Sequence, residues 1–212
     1  VAAFGRLRKG LEVIAPDSAL DHAANFAYML SGERPNAQVA RLLDVCFILH
    51  AEHGFNASTF TGRVVGSTLA NPYSVIAGAI GSLSGPLHGG ANERVLQMLR
   101  TIPSVDAVEA FLDGKIDRKE KIMGLGHRVY KVKDPRATVL QKMAAELFEA
   151  QGSSKLYDIG REMERVAADR LGHKGIYPNV DFYSGLVYDK LGIEEDLYTP
   201  LFAIARASGW AA

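Results

Sequence analysis

Glycine-flanked histidines and one aspartate among apolar neighbours are the residues of this sequence best suited to chemistry. His88 stands in Gly85-Pro86-Leu87-His88-Gly89-Gly90-Ala91-Asn92. Glycines after it allow a ligand close to backbone N–H groups, and a helix is expected to start beyond them. His127 stands in Gly124-Leu125-Gly126-His127-Arg128, with Lys131 and Lys133 shortly after. Asp181, between Val180 and Phe182 in the run Pro178 to Gly185, suits a partly desolvated general base. Each also has a plainer role. A glycine-flanked histidine can bond a backbone carbonyl in a turn, and Asp181 can cap the helix that follows. His50 and His53, three apart on one face at the end of a helix, are of a type that ligates metal, but no partner Cys or HExxH arrangement supports this. His173 follows Gly172 in a helix-terminal turn, where a basic residue suits the helix dipole, and His22 lies inside the first helix.

These residues need elements to hold them, and the apolar periodicity predicts an all-α chain. Pro16-Asp17-Ser18 precedes Ala19, Leu20, Ala23, Ala24 and Ala27 at helical spacing, with Ser18 and Asp21 as an acidic capping box and Gly32 as the stop. A second helix starts near Asn36 and sets Val39, Leu42, Leu43, Cys46 and Leu49 on one face, so Cys46 reads as a small core residue. Val75 to Leu87 is rich in Gly and Ser and reads as a buried helix of small residues. Asp134 at the N-cap and Pro135 at the first helical position open the clearest helix, whose stripe Leu140, Met143, Ala144, Leu147 and Phe148 ends at Gly152. Another helix runs from about Ser154 to Leu171, with Leu156, Ile159, Met163 and Val166 inward. The last carries Leu201, Phe202, Ile204 and Ala205. Lys131-Val132-Lys133 is the nearest approach to a strand pattern.

Composition removes several function classes. Lys+Arg and Asp+Glu both total 24 in 212 residues, a balance that argues against nucleic acid or a membrane surface as the main partner. The uncharged stretch from Val75 is shorter than the ~20 residues a membrane-spanning helix needs. One cysteine permits no internal disulfide, so a reducing compartment is expected. Gly124-Leu125-Gly126 lacks the third glycine of a dinucleotide fingerprint, no phosphate loop occurs, and the serines between Gly81 and Gly85 are wrongly placed for a nucleophile elbow.

Three separated segments, Gly85 to Asn92, Gly124 to Arg136 and Pro178 to Gly185, resemble the three catalytic segments of the citrate synthase family, in the family's order and at fitting separations. His50-Ala51-Glu52-His53, Asn56-Ala57-Ser58-Thr59 and Asn71-Pro72-Tyr73 extend the likeness over essentially the whole chain. The resemblance implies a citrate synthase-like all-α fold: a partial large helical domain over 1–88, a smaller inserted helical domain over 89–190, and a return to the large domain over 191–212. It implies a citrate (Si)-synthase, an acyltransferase that condenses acetyl-CoA with oxaloacetate and water to give citrate and CoA at the entry to the citric acid cycle. Asp181 would remove a proton from the acetyl methyl group, His88 would hydrogen-bond the thioester oxygen, and His127 would bond and help protonate the oxaloacetate ketone. Arg136 and Arg206 would meet the two carboxylates of oxaloacetate, with His53 adding a hydrogen bond. Met123, Gly124, Leu125, Gly126, Lys131 and Asn179 would hold CoA.

No metal or redox cofactor is implied by the resemblance. A homodimer or higher oligomer is expected, in the cytoplasm, with the mitochondrial matrix as the alternative. Family members carry a further helical region before the position of Val1 and a tail beyond Ala212 that brings another arginine to the partner subunit's substrate, so the sequence is expected to be part of a longer chain. Two alternatives stand beside this reading. One is a 2-methylcitrate synthase using propionyl-CoA, since one methylene is worth only ~1–3 kcal/mol of discrimination. The other is an inactive helical fragment acting as a binding module.

Overall fold

A computed structural model describes residues 1–85, 88–127, 130 and 132–212. Lys131, expected at CoA, and Arg128 beside His127 lie outside the described residues. The described elements are, in chain order, α1 (Ala2–Leu7), α2 (His22–Ser31), α3 (Ala37–Ala51), α4 (Ala57–Gly66), α5 (Pro72–Leu83), α6 (Ala91–Arg100), α7 (Val108–Asp117), α8 (Pro135–Gln151), α9 (Lys155–Leu171), α10 (Val180–Lys190) and α11 (Tyr198–Ala211), with short 3-10 turns between some of them. No strand forms among the described residues, and the expected all-α class holds. Among the described residues the only extended pairing is one antiparallel bridge between Leu125 and Pro178.

Short polar side chains start most of these helices. Asn36, Asn56 and Asn71 each accept from the amide three residues on, satisfying a donor that the first helical turn leaves without a partner. Asp134 with Pro135, and Ser154 before α9, begin their helices as their residue types predict. At the first expected helix the boundary moves. Asp21, not Ser18, is the cap, accepting from the Ala24 amide, and His22 becomes the first helical residue. The Ser18 region is instead a turn in which the Ala19 amide donates to Asp17 and Asn25 clasps the Asp17 and Leu20 carbonyls.

The chain divides into two compact units, residues 1–89 with 196–212, and residues 90–195. In the first, α11 packs on α3 and α5, and α4 lies against α5. Close approach is built in at Gly209, where a Cβ would meet the Ala51 carbonyl oxygen at 2.2 Å. Ala79, Leu83 and Trp210 form a small buried cluster with Phe202 packed against it. The expected burial of the segment from Val75 is not observed. Only Ala79 and Leu83 of α5 are buried, because a single stripe of this helix meets α4 and α11 while Tyr73 and Ile80 face outward.

The second unit is organised around α10, which packs on α6 and α8. Every residue from Phe182 to Tyr188 is buried, the pattern of a core helix covered on all sides. Gly185 permits this, since a Cβ there would stand 2.9 Å from the Asn92 carbonyl oxygen on α6. Helix α9 closes the unit with Ile159, Met163 and Val166 inward, joined by Tyr157, which stacks on Phe148 at 3.9 Å.

Candidate active site

The residues singled out for chemistry fall into two groups, one in each unit. In the first unit, α4 and the turn after α5 hold His88. Ser58, fully buried at the second position of α4, donates its backbone N–H to His88 Nε2 at 3.3 Å, and its Oγ lies 2.8 Å from the same nitrogen. With the amide donating, Nε2 carries the lone pair and the proton of a neutral ring resides on Nδ1. Burial lowers the His88 pKa below its ordinary value, and the positive charge of Arg206 lowers it further, so the ring is kept neutral. Gly89 is obligatory next to it, because a Cβ there would lie 2.2 Å from the Leu83 carbonyl oxygen.

Arg206 is buried on α11. Its Nε donates to the His50 carbonyl oxygen at 2.7 Å, and its guanidinium lies over the Phe202 ring at 4.7 Å. A buried guanidinium beside a histidine is a group whose planar donors match a carboxylate. His50 and His53 do not share a helical face. α3 ends at Ala51 and Glu52 is already extended, so His53 belongs to the connection leading to Asn56, while His50 Nδ1 lies 2.7 Å from the Cys46 carbonyl within α3. Cys46 is buried, as expected. Asn56 accepts from the Ser58 hydroxyl and the Thr59 amide, and its buried Nδ2 has no acceptor among the described residues, which makes it a candidate donor to a ligand oxygen. Among the described residues no group of three His, Cys, Asp or Glu side chains is gathered for a metal.

In the second unit two irregular segments are clasped together. The Gly126 amide donates to the Tyr177 carbonyl at 2.8 Å, the Asn179 amide to the Gly124 carbonyl at 2.9 Å, and Asn179 Nδ2 to the Gly126 carbonyl at 3.1 Å. Gly124 and Gly126 have φ of 77° and 84°, and a Cβ on Gly124 would meet Val95 at 2.6 Å and Phe182 at 2.9 Å. Gly124, Leu125, Gly126 and Asn179, all expected at CoA, are thus brought together next to Asp181, with half-buried Met123 leading into them. Asp181 is not the cap of α10. That place belongs to Asn179, whose side chain accepts from the Asp181 amide at 3.1 Å, so the Asp181 carboxylate is carried at the second helical position.

His127 Nδ1 accepts the Tyr130 amide at 3.0 Å, and its ring lies 4.5 Å from that of Tyr130. A neutral His127 therefore carries its proton on Nε2. Burial lowers its pKa; Asp134 opposes and Arg136 reinforces that shift. Arg136 forks onto Asp134 through Nε at 3.1 Å and Nη2 at 2.8 Å. Burial works against the Asp134 charge, but the Arg136 fork holds its carboxyl below the usual range. Five N–H donors on a guanidinium leave this pairing compatible with a second carboxylate. Behind the loop, Lys133 reaches Glu164 Oε1 at 2.5 Å and Gln141 Nε2 donates to Oε2 at 2.7 Å. Glu164 also accepts from the Tyr183 hydroxyl; burial and this carboxylate hold that phenol protonated well above its ordinary range.

Local pattern did not reveal Ser58, Trp210, Glu164 or the Asp134 partnership with Arg136. The Ser58 contact with His88 spans thirty positions and the Trp210 contact with Ser58 spans 152, beyond any helical period. The sole available hint was the Asn56-Ala57-Ser58-Thr59 run, which reads equally as a helix start.

A family model described as citrate synthase, C-terminal domain, matches residues 1–212. The citrate synthase of Synechocystis sp. is 56% identical over 212 residues, covering 100% of this chain and 53% of that relative. The citrate synthase of Deinococcus radiodurans is 53% identical, covering 100% of this chain and 56% of its own length. The chain spans about half the length of these curated relatives. Among solved structures, citrate synthase from Thermotoga maritima superposes with a TM-score of 0.90 at 46% identity, over 99% of this chain and 57% of that one. Citrate synthase from Thermoplasma acidophilum, solved as a ternary complex with carboxymethyl coenzyme A and oxaloacetate, superposes with a TM-score of 0.88 at 35% identity, over 99% of this chain and 56% of that one.

Proposed function

The chain belongs to the citrate synthase family, and from that membership we propose that it carries the catalytic residues of an enzyme condensing acetyl-CoA with oxaloacetate. Asp181 takes a proton from the acetyl methyl group. The electron pair moves toward the thioester oxygen, where His88 Nδ1–H donates to the developing charge. The resulting enolate carbon attacks the oxaloacetate ketone, whose oxygen takes a proton from His127 Nε2, and the proton that Asp181 removed returns to the His127 ring. Water then cleaves the citryl thioester, releasing citrate and the CoA thiol.

The supporting observation is the seating of the two imidazoles. Each has one ring nitrogen accepting from a backbone amide, from Ser58 at His88 and from Tyr130 at His127, so in the neutral ring the proton sits on the other nitrogen, Nδ1 of His88 and Nε2 of His127. Neutral donors can stabilise an enolate oxygen without fixing a full positive charge in the ground state. Arg136, Arg206 and His53 bind the oxaloacetate carboxylates, and Met123 to Gly126, Lys131 and Asn179 hold CoA. The assembly is a homodimer or larger, supported by the exposed Phe55, Phe60, Leu69 and Tyr73 of the first unit. The cytoplasm is the compartment inferred; no described helix is long and apolar enough to cross a membrane.

The test is CoA thiol release from acetyl-CoA with and without oxaloacetate, in this chain and in one extended at both ends to its relatives' length. Oxaloacetate-dependent release that Asp181→Ala abolishes is the expected result. Faster release from propionyl-CoA would move the assignment to 2-methylcitrate synthesis. Oxaloacetate binding without thiol release from the extended chain would overturn the enzymatic reading in favour of a binding module.

A further inference from the structure

We propose that Trp210 is a positioning residue for His88, acting through Ser58: its indole N–H fixes the Ser58 hydroxyl so that the His88 ring keeps its proton on Nδ1. The inference rests on the role given to His88 above and extends it to a residue on another helix.

Trp210 Nε1 donates to Ser58 Oγ at 3.2 Å in a buried contact. An indole nitrogen can only donate, so the sense of this bond is unambiguous. Ser58 Oγ has one hydrogen and two lone pairs, and the indole occupies one of those pairs. Two acceptors lie within reach of the hydroxyl hydrogen, His88 Nε2 at 2.8 Å and Asn56 Oδ1 at 2.8 Å. The rival His88 tautomer, protonated on Nε2, would turn a second donor toward the same oxygen and set an N–H against the Ser58 backbone amide. A donor already seated on Oγ weakens it as an acceptor and polarises its O–H, and both effects favour the Nδ1–H form.

The indole has little freedom to turn away. Trp210 packs on Ala79 and Leu83, with Ile76, Phe202 and Ala207 around the cluster. Its neighbour Gly209 brings α11 against the end of α3 so closely that any side chain there would collide with Ala51. Packing on two helices thus sets the direction of one N–H, and that N–H sets a proton on a ring it does not touch.

The experiment uses the chain extended to its relatives' length, with Trp210→Phe, Ser58→Ala and the double variant. Ring-labelled 15N-histidine spectra report the His88 tautomer, and steady-state rates report the split between kcat and KM. In Trp210→Phe the Nδ1–H signature should give way to a mixture of tautomers. Its kcat should fall about 5–10-fold, the scale of one buried hydrogen bond, with KM for oxaloacetate within about twofold. The substitution should add no further loss in the Ser58→Ala background. Benzothienylalanine at position 210 preserves the bicyclic shape without the N–H and separates lost packing from the lost donor; it should reproduce the Trp210→Phe spectrum. An unchanged His88 tautomer in both position-210 variants overturns the proposal, as do independent, additive losses in the double variant. Absence of any oxaloacetate-dependent turnover in the parent would instead defeat the catalytic role of His88, while the spectra would still decide whether Trp210 sets its tautomer.

Discussion

Asp181 is carried by a helix whose following seven residues are buried, so its position is inherited from the core of its unit. Asp181→Asn keeps the size of the side chain and the backbone donation to Asn179. It should lower kcat by a factor on the order of 10²–10⁴ with the melting temperature nearly unchanged, read by thiol release beside a thermal scan. A drop in melting temperature as large as that of a core substitution would mean the carboxylate is structural. His88 and His127 supply a second prediction. Both have lowered pKa values, so between those values and the ordinary histidine range the unfolded chain binds more protons than the folded one. Stability then rises with pH through that window and falls on acidification, and the melting temperature should decline from about pH 7.5 to about pH 5.5. His88→Gln should flatten the decline; a slope identical to that of the parent would remove His88 as a contributor.

At the scale of elements, the connections decide what the helices present. Asn179 caps α10 and also ties its side chain to the Gly126 carbonyl, so one residue joins the helix bearing Asp181 to the glycine segment before His127. Asn179→Ala should cost about 1 kcal/mol for the lost cap. It should also raise KM for acetyl-CoA beyond what thermal destabilisation explains, which kinetics well below the melting temperature can isolate. Helix identity was readable because caps and stops obey local chemistry, as at Asp134-Pro135 and Ser154. The start of α2 was misread by three residues because Ser18 and Asp21 are both competent caps, and only the Asn25 clasp on the preceding turn decides between them. The burial of α5 was misread because small residues suit any close helix contact, whether or not a neighbour covers each face. Candidate chemistry on glycine-rich segments was legible from residue types, whereas its supports, Ser58, Trp210 and Glu164, depend on contacts across long stretches of chain.

For the whole molecule, two units each enclose a core of their own, and the first leaves Phe55, Phe60, Leu69 and Tyr73 more than half exposed. Exposed aromatic and aliphatic groups of this number favour association, so the 212-residue chain should sediment above its monomer mass at micromolar concentration. Phe60→Glu with Tyr73→Glu should return it to the monomer; a parent that sediments as a monomer throughout would argue against these residues as an interface. In the second unit, the clasp between the Gly124 segment and the Tyr177 segment has a consequence for exchange with solvent. Amide hydrogens in irregular backbone normally trade with deuterium in the fastest class. Here the Gly126 and Asn179 amides are held by carbonyls from a segment some fifty residues away, and exchange requires the two segments to part beside the buried helix α10. Their deuterium uptake should therefore follow the slow rhythm of the core helices, making two loop amides a clock for the opening of the unit that carries Asp181.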